Sequence, residues 1–135
     1  MTLREVTDGP AVVACNTCRF SADARDDAAN VRGGARLVEA LRAVQAEPGY
    51  DGVAVQEMPC LFACQDFCTV HLRAPGKVGY VLGRFEPSAE AARAILDYAL
   101  LYAESDVGQV PYRSWPAGVK GHFITRTPPA GFVVE

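Results

Sequence analysis

Short apolar runs and two helical stripes set the order of elements along this chain. Ala11-Val12-Val13-Ala14-Cys15 is a β-branched run entered through the turn signal Asp8-Gly9-Pro10, and it predicts a buried strand. Asn16-Thr17-Cys18-Arg19 turns away from it. Residues 21–30 are rich in Ala and Asp without a period and predict a mobile loop or a loose helical turn. Gly33-Gly34 reads as a break. From Ala35 onward Leu37, Val38, Leu41, Val44 and Gln45 recur at three and four, which predicts a helix ended by Pro48-Gly49. Glu39 and Arg42 lie off its apolar stripe.

Gly52 to Gln56 predicts a second strand that runs into Met58-Pro59-Cys60. A strand, a helix and a strand form a βαβ unit with parallel strands and a right-handed connection. Parallel neighbours end on the same side of a sheet, so Cys15 and Cys60 should emerge close together. Open α/β sheets usually hold ligands outside those carboxyl ends. Farther on, Thr69 to Arg73 and Val78 to Phe85 predict a β-hairpin around Ala74-Pro75-Gly76-Lys77. Pro87-Ser88 then opens a helix, with Ser88 as N-cap and Glu90 in the first turn. Ala92, Ile95, Leu96, Ala99, Leu100 and Tyr102 form its apolar stripe. The segment from about 106 to 135, rich in Gly, Pro and aromatics, predicts an irregular tail that wraps the surface. Trp115, Tyr112 and Phe123 would pin it down. The expected architecture is one α/β domain over residues 1–135.

Composition narrows the function. Half of the 135 residues are hydrophobic, enough for one domain core without disulfides. A net charge of −3 argues against a nucleic-acid partner. No apolar run is long enough for a membrane span, and the N-terminus has no apolar signal segment. A cytoplasmic protein with reduced thiols is therefore the expectation.

The chemistry lies in five cysteines. Cys15-x2-Cys18 offers two thiols at a strand end, and Cys60-x3-Cys64 offers two more after the second strand. Thiolates are preferred ligands of iron–sulfur clusters and of structural zinc, and four suffice for either. Free cysteines also pack as small buried hydrophobes, but scattered core residues do not gather at the ends of two strands. Cys15/Cys18 can also be read as a redox dithiol, although such a pair usually opens a helix directly. Cys68, just before a strand, has three readings: a core thiol, an alternative ligand or a resolving thiol. Arg19, beside Cys18, would place a guanidinium near an anionic cluster. His71 reads as an ordinary sheet residue, and Lys77 and Arg84 as solvated charges flanking the hairpin. No hydrolytic triad, phosphate-binding loop or nucleotide fingerprint is present.

Val13-Ala14-Cys15-Asn16-Thr17-Cys18-Arg19, Pro59-Cys60-Leu61-Phe62-Ala63-Cys64, Cys68-Thr69-Val70 and Ala74-Pro75-Gly76-Lys77-Val78-Gly79-Tyr80-Val81-Leu82-Gly83 resemble a bacterial family of uncharacterised, predicted metal-binding proteins. Val110-Pro111-Tyr112-Arg113 and Thr127-Pro128-Pro129 extend the likeness to the tail. That family is similar to the thioredoxin-like [2Fe–2S] ferredoxins. The resemblance implies a thioredoxin-like fold, a [2Fe–2S] cluster with zinc as the alternative, electron transfer with a redox partner protein, and pairing as homodimers. Some relatives lie near cobalamin-synthesis genes, which implies an electron donor there. Cys15 matches the first ligand of that pattern, and Cys60 and Cys64 match its closing pair. The remaining ligand position falls near Ala28, which cannot bind metal, so Cys18 would substitute for it.

Overall fold

A computed structural model describes residues 1–135. The chain runs β1 (Ala11–Cys15), α1 (Gly33–Gln45), β2 (Ala54–Met58), β3 (Val70–Arg73), β4 (Gly79–Leu82), α2 (Ala89–Glu104), two single 3-10 turns and β5 (Phe123–Thr127). The strands form one sheet in the order β2-β1-β3-β4-β5. β1 pairs with β2 in parallel, as the βαβ reading requires, and the remaining pairs are antiparallel.

Both helices pack on one face of this sheet and against each other. Alternation along the strands sorts the residues. Val12, Val55 and Leu72 lie in register and turn toward the helices, where Leu37, Leu41, Ile95 and Leu96 complete the core. Each such fully buried side chain contributes about 2 kcal/mol. Val13, Gln56 and His71 share the opposite face, which carries no helix. Ser88 caps α2 as expected, its hydroxyl accepting from the Ala91 N–H at 3.2 Å. Such a cap contributes about 1 kcal/mol.

Three expectations change. First, β2 begins two residues later than the apolar run suggested and reaches Met58. Val53 is buried just before it, so the run is apolar for packing and not for pairing alone. Second, Gly33-Gly34 does not break the chain; it forms the first turn of α1. A Cβ on Gly34 would stand 2.0 Å from the Cys15 carbonyl oxygen, and one on Gly33 would stand 2.4 Å from the Phe20 Cα. The glycines let the helix start directly on the loop that follows β1. Third, the tail is not irregular throughout. Phe123–Thr127 adds an edge strand to β4, and Val110 and Val119 enter the core. Phe123 meets Tyr80, Tyr98 and Trp115 in an aromatic cluster with ring centroids 4.5–5.3 Å apart. Trp115 and Phe123 thus pin the tail as expected, together with Val110 and Val119, whereas Tyr112 stays exposed and meets Trp115 and Lys120 of the tail itself.

The close approach at Gly34 has a measurable consequence. Gly34→Ala should lower stability by about 3 kcal/mol, read as a drop in the urea midpoint at unchanged slope. Gly52→Ala, whose new Cβ would meet only a Leu100 methyl at 3.7 Å, should stay within about 0.5 kcal/mol of the parent.

Candidate metal centre

The end of β1 is clamped from both sides. The Cys15 N–H donates to the Thr69 carbonyl at 3.0 Å, and the Asn16 N–H donates to the Met58 carbonyl at 3.0 Å. In register, Cys15 stands opposite Met58, two residues before Cys60. The parallel pairing thus brings the two cysteine segments to one rim of the sheet. The helix follows the same rim, because the Gly34 N–H donates to the Cys18 carbonyl at 3.1 Å. The positive end of α1 therefore abuts the first thiol pair, an arrangement that favours negative charge there.

Cys15 and Cys18 form a buried pair, 2% and 6% exposed. The neighbouring Cys18 thiol pulls the Cys15 pKa down to about 4 against the cost of burial; Thr17 and the Leu61 backbone add to the effect. The same contact drives Cys18 strongly upward, so it keeps its proton. Its sulfur also lies 3.1 Å from the buried Thr69 hydroxyl. The two thiols are thus driven apart in acidity, Cys15 downward and Cys18 upward.

Cys60 and Cys64 form a second pair, with sulfurs 3.7 Å apart on a more exposed loop. The Phe62 N–H donates to the Cys60 sulfur at 3.4 Å. The Cys64 pKa is raised by its contact with Cys60. This loop is strained: Cys60, Phe62 and Cys68 all have φ of 50–60°, a region that non-glycine residues adopt at a cost of about 1–2 kcal/mol each. Phe62 stands at its crest, 95% exposed. Arg84 ties the loop down, donating to Asp66 at 3.0 Å and to the Gly121 carbonyl at 2.8 Å. Arg84 is therefore a fastener between the loop and the tail rather than a solvated charge. Lys77 likewise reaches the Ser105 carbonyl at the end of α2.

The remaining candidates are placed differently from the two pairs. Cys68 is fully buried in the core with Val70 and Leu72, on the helix side of the sheet, while Cys15 shares its parity with Val13 on the other side. Burial pushes its thiol up to about 12, and it donates to the Arg19 carbonyl at 3.5 Å. The Arg19 side chain is exposed. His71 is held below its ordinary pKa by burial, and then by Arg73. Ala28 is exposed on a loop organised by Asp27, whose carboxylate accepts the Ala29 and Val31 N–H groups and pairs with Arg36 at 2.7 Å.

No three ligand-type side chains stand close enough together to hold a metal ion as they lie. The sulfurs are gathered as two pairs. The donor set nevertheless suits a thiolate-bound metal group. It has four thiols, Cys15 is the one whose pKa is lowered, and the Leu61 backbone of the second segment contributes to that lowering. Thr69, Thr17 and the Leu61 amide were not singled out from the sequence. All three lie inside segments quoted for their resemblance, with no role given to them there.

The sequence pattern of the family described as "protein of unknown function (DUF1636)" matches residues 12–129, and the chain belongs to that family. No curated protein matches it. Among solved structures it is similar to a thioredoxin-like [2Fe–2S] ferredoxin from Aquifex aeolicus. The two are 18% identical, with 94% of this chain and 100% of that one covered, at a TM-score of 0.55. The fold is thus the thioredoxin-like ferredoxin α/β fold that the sequence resemblance implied. No helix is long and apolar enough to cross a membrane.

Two outcomes follow for reduced, metal-free protein. Mild oxidation with diamide should join Cys60 to Cys64 before it joins Cys15 to Cys18, as read by peptide mapping after alkylation. Stability should also depend on Cys15. This thiol releases its proton more readily folded than unfolded, so its contribution is full above the ordinary value of 9.0 and is lost as pH falls toward about 4. Cys18 stays protonated in both states below that ordinary value and does not offset it. Between about pH 8 and pH 5 the parent should therefore lose more stability than Cys15→Ser does, as measured by urea melts across that range.

Proposed function

We propose that this member of the DUF1636 family binds a [2Fe–2S] cluster through Cys15, Cys18, Cys60 and Cys64 and exchanges single electrons with a partner protein. The observation that carries the reading is the parallel register that ends both cysteine-bearing strands at one rim, with the Leu61 backbone of the second segment among the groups that lower the Cys15 pKa. The likeness in fold to a [2Fe–2S] ferredoxin supports it. The cluster, when bound, would supply the one-electron chemistry.

The chain's own residues would do the rest. Cys15, with its pKa lowered, would give up its proton to a metal group most readily. Burial of Cys15 and Cys18 keeps water from that side. N–H and O–H groups aimed at the sulfurs, from Leu61, Phe62 and Thr69, would draw charge from them and raise the potential. Arg19, on the exposed side, would add positive charge near an anionic centre. Cys68 is assigned to the core and not to the ligand set. The exposed Phe62 at the loop crest would give a redox partner an apolar contact beside the sulfurs.

One observation favours a second reading. A thiolate beside a thiol at the end of β1 is the chemistry of a thiol–disulfide oxidoreductase. In that case Cys15 attacks and Cys18 resolves, with no metal involved. Zinc held by the same four sulfurs is the remaining alternative.

Anaerobic purification followed by iron, sulfide and zinc analysis separates these readings. The expected result is a red-brown protein with iron and sulfide in equal amounts. The colour should be lost in Cys15→Ser and in Cys60→Ser and kept in Cys68→Ala. A colourless protein with stoichiometric zinc would overturn the cluster. Metal-free protein that reduces a small disulfide, with turnover abolished by Cys18→Ser, would replace it with the oxidoreductase.

A further inference from the structure

At the end of the sheet away from the thiols, the tail folds back over the start of β4 and leaves a cavity of about 350 Å³. The register fixes its remoteness. The rim with Cys15 borders Val70 and Leu82, whereas the cavity borders Val78 and Tyr80, at the hairpin turn. Val78, Val107, Pro129, Phe132 and Val133 supply apolar walls. A second, aromatic cavity adjoins it, lined by Tyr112, Trp115 and Phe123. The two share Tyr80, Gln109 and Arg126.

The Tyr80 hydroxyl, the Gln109 amide and the Arg126 guanidinium make no hydrogen bond to any other part of the chain, and Arg126 is in no ion pair. Five other arginines form six ion pairs with carboxylates elsewhere, among them Arg93 with Glu47 at 2.9 Å. No Asp or Glu lines either cavity, in a chain whose net charge is −3. The only charge at this apolar site is therefore positive, with two neutral hydrogen-bonding groups beside it. Small-molecule sites are commonly built this way, with apolar walls and a few convergent polar groups that fix orientation. A guanidinium in that setting pairs best with a carboxylate, which accepts two parallel N–H bonds.

We propose that these joined cavities bind a small amphiphilic carboxylate, its apolar body between the hairpin and the tail and its carboxylate on Arg126. Tyr80 and Gln109 would donate to the same head group. Phe132 and Val133, largely exposed at 68% and 81%, would gain apolar contact on binding. The site is independent of the thiol centre.

The test is titration of the full-length protein with octanoate, with octanol and octylamine as controls, followed by amide chemical shifts. Saturable shifts with octanoate at Val107, Gln109 and Arg126 are expected. Binding should weaken at least about tenfold in Arg126→Gln and with octanol, and octylamine should not bind. Arg126 holds no other part of the chain, so the Arg126→Gln spectrum should otherwise match the parent; Gln109→Ala serves as a second variant and should also weaken binding. Octanol binding as tightly as octanoate, or full affinity in both variants, would overturn recognition of the carboxylate. The absence of any saturable shift at these residues would overturn the site itself.

Discussion

The parallel pairing of β1 with β2 is the constraint from which the rest follows. It places Cys15 opposite Met58 and delivers the next residues, Pro59 and Cys60, over the same rim. Had the two strands been antiparallel, their carboxyl ends would lie at opposite edges of the sheet. The two thiol pairs would then be separated by the full length of a strand. The helical crossover that makes the pairing parallel also brings the positive end of α1 onto the loop after β1. One topological choice thus sets the position of the sulfurs and part of the electrostatics around them.

Close packing turns that placement into a defined geometry. Gly33 and Gly34 allow the helix backbone to touch the loop backbone, with no side chain between them. Hydrogen bonds from Cys15 and Asn16 to Thr69 and Met58 fix the strand end on both sides. The second thiol segment is held differently. It adopts backbone angles that side chains disfavour at Cys60 and Phe62, and Arg84 fastens its far end to the tail. Strain of this kind persists only where surrounding contacts over-determine it, and it clusters at sites that bind or switch.

Much of this was legible in the residues. The order of the first six elements, the parallel unit and the capped helix followed from period, turn residues and Ser88. Two things were not. Gly33-Gly34 looked like punctuation because a glycine needed for tertiary contact has the same local signature as one that ends a helix. The fifth strand was hidden because Phe123–Thr127 is short, flanked by Gly121 and Pro128, and paired on one side only, so it needs just one apolar row. The site divided in the same way. The spacing of cysteines exposed two thiol pairs. The Thr69 hydroxyl and the Leu61 amide that reach those sulfurs are three-dimensional neighbours without a sequence mark. Cys68 was separable from the others only by strand parity, which puts it with Val70 and Leu72 toward the helices.

The two thiol pairs differ in kind, and the difference bears on how four sulfurs could act together. The inner pair is buried, hydrogen-bonded to Thr17 and Thr69, and has the Cys15 pKa lowered. The outer pair is more exposed and sits on a strained loop. Deprotonating thiols is part of the free energy of binding a soft metal. A buried thiolate prepared by the fold lowers that cost on one side, while an exposed loop leaves access open on the other. A site with four equally buried thiols would repel its own charges and admit a metal group slowly. One with four exposed thiols would leave the centre wet and quickly oxidised. Dividing the roles between a rigid half and a yielding half avoids both. It also fits the strained backbone at Cys60, Phe62 and Cys68, while the strand end at Cys15 is fixed by ordinary sheet hydrogen bonds.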